Sequence, residues 1–245
     1  MATKRVAGKL GKLPAVRPYG VADLSAYTQS RLPSPPSQVP TPTVADWGML
    51  DNDTLGCCTI SGAGHAIMAW DTEVARQDTP PDDAEVKSQY FAITGGADTG
   101  CVEANVLALW QGSGLFGDNK IAGYAPVNVQ RITDIQQAIA FYGCAYIGVA
   151  LPASAQEQFS ANQPWTVVPG SKILGGHCVV LVGYDDHYAT AVTWGATVEV
   201  SYPWLAKYMD ECWAVISQEF VEAGRGPALD LASLQADLQD MQATT

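Results

Sequence analysis

The run NDTLGCCTISGAGHAIMAWDTEVAR, residues 52–76, passes from a turn-rich approach into a helix. Ile60, Ala63, Ile67 and Trp70 recur at helical spacing, so the helix should begin close to Cys58, just after the flexible Gly56. A thiol at a helix N-terminus has its thiolate stabilised by the macrodipole, and a nearby imidazolium adds to that stabilisation. Cys58 is therefore a candidate nucleophile; the alternative is a buried apolar thiol. Its neighbour Cys57 is a second thiol, so the pair either forms a vicinal disulfide or presents one thiol to a cleft. The chain has three histidines to serve as the imidazole. His65 lies on the same helix, about 10 Å along the axis from Cys58, too far to share its proton, and reads as a core residue. His187 sits among Asp185, Asp186 and Tyr188 in a hairpin turn. His177 remains, in GGHCVVLVGYD (175–185), where two glycines precede an apolar strand.

Outward from these two stretches the chain divides. AEVKSQYFAIT (84–94) and CVEANVLALWQGSG (101–114) read as helices ended by glycine or turn residues, so the first half is mainly helical. ITDIQQAIAFYG (132–143) adds one more helix. CAYIGVAL (144–151), HCVVLVGYD (177–185), ATAVTWG (189–195) and CWAVIS (212–217) are then short runs rich in Val, Ile, Tyr and Trp that read as strands. In the tail, Asp230 is placed to cap a helix whose Leu231, Leu234, Leu238 and Met241 form a stripe for packing on the body.

These residues resemble the papain-like cysteine peptidases. That family places a glutamine six residues before a cysteine that opens the central helix, a Gly-His strand in a later β-rich half, and an asparagine about sixteen residues on, before Ser-Trp-Gly. NDTLGCCTISGAGHA, DIQQAIAFYGCAYIGVAL and GGHCVVLVGYDDHYATAVTWG match in order and spacing over residues 45–217. The resemblance implies an α+β papain-like fold, with the helical half before the β-rich half. It also implies Cys58 as nucleophile, His177 as general base and acid, and Asn52, with the Cys58 N–H, as oxyanion donors. Asn52 is one methylene shorter than the family's glutamine. The third member departs further: sixteen residues on from His177 is Thr193, whereas alignment on Trp194 and Gly195 puts Val192 there. A threonine hydroxyl accepts from an imidazole N–H and valine does not, so Thr193 is the residue expected to face His177; Asp185 or Asp186 would substitute only if the hairpin folded back.

The chain has 245 residues, a formal charge of -12, 47% hydrophobic and 16% charged residues. This composition excludes wholesale disorder. No apolar run reaches the roughly 18 residues of a membrane span, and the start of the sequence lacks the apolar core of a secretory signal, so no membrane role and a cytoplasmic location are expected; a resemblance to short papain-like phage proteins implies a virion as the alternative. Six cysteines without paired CxxC spacing predict reduced thiols and no metal site, and no cofactor or nucleic-acid motif occurs. Residues 1–40 carry six basic groups against Asp23, a net +5, while the remainder holds seven against 24, a net -17. With seven prolines between Pro14 and Pro42, this segment predicts an extended arm ordered by the acidic body or a neighbouring subunit, anchored by Tyr19, Leu24 and Tyr27 and weakened by salt.

The expected organisation is an arm (1–44), a papain-like domain (45–217) and a helical tail (218–245). Two functions follow. One is a cysteine peptidase or amidase, cleaving a peptide or protein substrate. The other, implied by a resemblance to short papain-like proteins of phages and bacteria, is a pseudoenzyme that serves as a minor capsid or decoration protein and binds its assembly through residues 1–44.

Overall fold

Helix α1 (Cys58–Val74) forms the axis of the helical half, and its Ile60, Ala63, Ile67 and Trp70 are buried. The structure is a computed structural model that describes residues 5–17, 20–28, 32–74, 81–222, 224 and 229–243. Beside α1 lie α2 (Asp83–Thr94) and α3 (Glu103–Gly112). A capping box between Asp82 and Glu85 starts α2, and Gly95 ends it in the left-handed conformation.

The β-rich half follows as β1 (Ile121–Pro126), α4 (Ile132–Tyr142), β2 (Ala145–Pro152), α5 (Ala153–Ser160), β3 (Ile173–Tyr184), β4 (Tyr188–Thr193), β5 (Ala196–Ser201), α6 (Tyr202–Tyr208) and β6 (Met209–Ser217). After them come α7 (Gln218–Glu222) and α8 (Leu231–Ala243). The strands form one antiparallel sheet in the order β1-β6-β2-β3-β4-β5, giving an α+β architecture with helices first. Among the described residues no helix is long and apolar enough to cross a membrane.

The halves lock where α1 crosses β3. Gly62 on α1 lies against the side chains of Cys178 and Tyr146, and the Tyr146 hydroxyl donates to the Thr59 carbonyl at 2.6 Å. Further along, Trp70 Nε1 donates to the Tyr142 carbonyl at 2.9 Å. The sequence reading did not single out β1, β5, α5 or α6. The two helices have eight and seven residues, too short to be set by propensity without packing. Strand β6 starts three residues before the apolar run at 212, because Asp210 and Glu211 belong to the strand rather than to its boundary.

The described residues of the arm are extended, apart from one 3-10 turn at Leu24–Ala26. Leu24 and Tyr27 are buried; Tyr19 lies outside the described residues. The Tyr27 hydroxyl accepts from the Ala22 N–H and donates to Asp237 on α8 at 2.7 Å. Leu234 and Leu238 of α8 are fully buried, and Asp230 accepts from the Ser233 N–H, as expected of a cap. Farther along, Val39 and Tyr184 exchange both backbone hydrogen bonds at 2.9 Å.

The manner of docking differs from a surface attraction. Residues 5–13 run into the cleft between the halves, and the Lys12 side chain is 1% exposed. Its pair with Glu211 is shielded from solvent, so of the arm's attachments to the body salt screening acts mainly on the exposed Lys9–Asp98 pair.

Candidate functional site

Cys58 is the first residue of α1 and is almost completely buried. Its neighbour Cys57 is a free thiol turned toward the Leu50 carbonyl and the Ser61 hydroxyl, and Cys58 is also free. The approach to the helix is fixed by Asp98, whose Oδ1 accepts from the Gly56 N–H and from the Tyr90 hydroxyl, both at 2.8 Å.

Strand pairing positions the second group. Val180 of β3 lies opposite Val192 of β4, so Val192 shares its side of the sheet with Val180, while Thr193 falls on the side of Val179 and His177. Trp194 and Gly195 both have positive φ, 47° and 71°, the signature of the two-residue turn that joins β4 to β5. The hairpin delivers the Thr193 hydroxyl to 2.7 Å from His177 Nε2. It also stacks the Trp194 indole on the imidazole, with centroids 4.6 Å apart and planes at 23°. His177 is fully buried, and its Nδ1 has no hydrogen-bond partner among the described residues. Asp185 instead closes the β3–β4 turn by accepting from the N–H groups of His187 and Tyr188, so it does not reach the ring.

Asn52 is buried in the turn before α1. Its side-chain amide donates to the Leu55 carbonyl at 3.0 Å and to the Lys9 carbonyl of the arm at 3.1 Å, while its own carbonyl accepts from the Lys9 N–H at 2.7 Å. His65, read as a core residue, is buried with Nε2 at 3.1 Å from both the Trp47 and Gly48 carbonyls.

The arm closes this cleft. Arg5 donates to the Thr197 carbonyl at 2.6 Å and lies over the Phe159 ring. Farther in, the Lys12 N–H donates to the Gly176 carbonyl, while Cys101 bonds Gly11 on one side and Leu13 on the other. At Gly11 a side chain has no room: a Cβ there would come within 1.7 Å of the Gly56 carbonyl oxygen.

This enclosure sets the electrostatics. Burial pushes the Cys58 thiol up to about 12, although the backbone N–H groups of Cys178 and Gly11 oppose the rise. Burial, reinforced by the field of His65, holds His177 down at about 3. With the arm in place, thiol and imidazole are both neutral at ordinary pH, and the helix N-terminus does not overcome the desolvation.

Sequence reasoning missed the groups that hold the arm. Lys12 sits between a glycine and a leucine in a basic stretch and gives no periodic signal. Glu103 opens α3, where a carboxylate is ordinary, and the only mark of Glu211 in the sequence is its place immediately before the apolar run at 212. Among the described residues no group of His, Cys, Asp and Glu is arranged to hold a metal ion.

The fold is that of papain-family cysteine proteases. Xylellain, a cysteine protease from Xylella fastidiosa, superposes with a TM-score of 0.64 at 16% identity, over 89% of this chain and 99% of that one. Procathepsin B S9 from Trypanosoma congolense gives 0.54 at 12% identity, over 88% and 87% of the two chains. Digestive procathepsin L 3 of Tenebrio molitor larval midgut gives 0.54 at 10%, over 87% and 76%. No family model matches the sequence, and no curated protein matches it.

Proposed function

We propose that the chain is a papain-type thiol hydrolase of peptide or amide bonds, held closed by its own N-terminal arm. The observation that carries this reading is the Thr193–His177 hydrogen bond at 2.7 Å, which leaves the opposite ring nitrogen without a partner. When Nε2–H donates to the hydroxyl, Nδ1 keeps its lone pair and is ready to act as a base. Support for pairing thiol and imidazole comes from the packing of α1 on β3, where Gly62, four residues after Cys58, lies against the side chain of Cys178, the residue after His177.

With the arm withdrawn, water enters, the desolvation that keeps both groups neutral falls, and a thiolate–imidazolium pair becomes accessible. The sulfur then attacks a substrate carbonyl carbon while its proton resides on Nδ1. A C–S bond forms, and the carbonyl π electrons move to oxygen. The Asn52 amide proton released by the Lys9 carbonyl, together with the Cys58 N–H, receives that oxyanion. Collapse breaks the C–N bond as Nδ1 returns its proton to the departing amine. Water, deprotonated by the same nitrogen, hydrolyses the thioester and frees the thiol.

The test is peptide hydrolysis by the full chain carrying Gly11→Val, beside the same chain with Cys58→Ala. Cleavage that disappears with the sulfur supports the reading, whereas equal cleavage, or none together with no reaction of Cys58 toward a thiol-directed peptidase probe, overturns it.

A second reading is a non-catalytic assembly protein, such as a virion component, that retains the scaffold. Threonine in place of the family's asparagine favours it. The two diverge on whether displacing the arm produces turnover or only alters association with other subunits.

A further inference from the structure

Beneath the arm, a lysine is held where a soluble protein rarely buries one. The Lys12 ammonium lies 2.9 Å from Glu211 Oε1 and 3.0 Å from Asp210 Oδ2. Glu103 adds a third carboxyl, fully buried, whose field reaches the ammonium without an ion-pair contact to it. The floor under the lysine methylenes is Gly148 of β2, where a Cβ would stand 2.0 Å from Lys12 Cε and 2.6 Å from Glu211 Cγ. These carboxyl groups and the glycine belong to the body, and the cation is supplied by the arm.

The pocket lies beside the reactive centre. Gly11 packs against the Gly56 backbone, two residues before Cys58, and the Lys12 N–H bonds the carbonyl of Gly176, the residue before His177. Backbone contacts hold that position generically: the Lys12 N–H bonds the Gly176 carbonyl, and Cys101 bonds both flanking residues. Any extended peptide could make such bonds, whereas the acidic slot selects its side chain. Withdrawal of Lys12 would leave Glu211 and Glu103 buried without a cation, which is unfavourable until another cation arrives.

We propose that this slot is a lysine-selective substrate subsite, which the arm occupies with its own Lys12. The inference rests on the hydrolase reading for the word substrate, but the selectivity of the slot stands on its own. The compact ammonium at the end of four methylenes suits a narrow slot that passes over Gly148. A planar arginine guanidinium needs more breadth and more acceptors. Glu211 is the specificity-determining group in this scheme, Asp210, which is half exposed, completes the ammonium's coordination, and Glu103 adds its field from behind.

Binding and turnover test it separately. The full chain carrying Gly11→Val and Cys58→Ser would be titrated by fluorescence anisotropy with a labelled RVAGKLGKL peptide, the sequence of residues 5–13. Variants of the peptide carry norleucine or arginine at the Lys12 position. We expect norleucine to bind at least tenfold more weakly and arginine severalfold more weakly, with the norleucine gap narrowing to under threefold in Glu211→Gln. Asp210→Asn, at a half-exposed position, gives a smaller narrowing and serves if Glu211→Gln does not fold. Equal binding of the lysine and norleucine peptides overturns the subsite. In parallel, Gly11→Val alone would be offered fluorogenic peptides with Lys, Leu or Arg at that position. Lysine-selective binding without hydrolysis sinks the hydrolase reading and leaves the slot intact; hydrolysis indifferent to lysine sinks the slot and leaves the hydrolase.

Discussion

The two ends of the chain both pack onto the body, by opposite means. The C-terminal helix α8 presents Leu234 and Leu238, fully buried, and is fastened by apolar area together with the Tyr27–Asp237 hydrogen bond. The N-terminal stretch 5–13 has little comparable area, since Val6 and Leu13 are exposed. It is fastened by a backbone ladder, a glycine contact and one buried ammonium. Apolar attachment tolerates small shifts and shows in the spacing of leucines. Attachment by close backbone approach and buried charge is directional, fails as a unit when one contact is lost, and leaves almost no pattern in the sequence.

The largest expected effect breaks the arm while sparing the tail. Gly11→Val forces the arm from the cleft, because its side chain would overlap the Gly56 carbonyl. Cys58, held near 12 with the arm docked, would return toward an ordinary thiol value. Thiolate content at pH 7.5 then rises by about three orders of magnitude, and iodoacetamide labelling of Cys58 should quicken by at least about 100-fold. An unchanged rate would mean that the arm does not shield the thiol.

Leu234→Ala is the reciprocal experiment. It should lower unfolding stability by about 2–5 kcal/mol in denaturant titration while leaving Cys58 labelling at the wild-type rate under native conditions. A labelling rate that rises with the tail mutation would show that the two attachments are coupled, through Tyr27 and Asp237.

Thr193→Val acts inside the site that the arm covers. The buried His177 Nε2 loses its partner, with an expected loss of about 1–3 kcal/mol of stability. On the Gly11→Val background, any hydrolysis should fall while substrate KM changes little, because the ring loses its orientation rather than a substrate contact. Thr193→Asn should restore more activity than Thr193→Val.

A further effect concerns pH. His65 is held at about 4 and His177 at about 3 in the folded protein, each below an unfolded value near 6.5. Their contribution is complete above pH 6.5 and is lost as pH falls through the folded values, since the unfolded chain binds those protons first. Glu103, raised by burial, acts in the opposite sense above its ordinary range. The measurement that isolates the histidine contribution is thermal midpoint against pH for the chain and for His65→Gln. The variant should show a shallower loss between pH 6.5 and 4; superimposable slopes would refute that contribution.

Residue order by itself determined the helical half before the strand half, the start of α1 at Cys58 and the tail stripe with its Asp230 cap. Each follows from local rules: apolar period, β-branched runs, a helix-start residue. It also narrowed the histidine to His177, because helix geometry removes His65 and turn chemistry places His187 at a hairpin. Tertiary structure alone decided between Thr193 and Val192, since strand register and a two-residue turn set which side chain faces the ring. It alone brought Asp98 to Gly56, and Glu103, Asp210 and Glu211 around Lys12. Those residues come from a loop, a helix start and a strand more than a hundred positions apart, and a charged side chain carries no mark of its burial until the opposite charge that makes burial tolerable is folded against it.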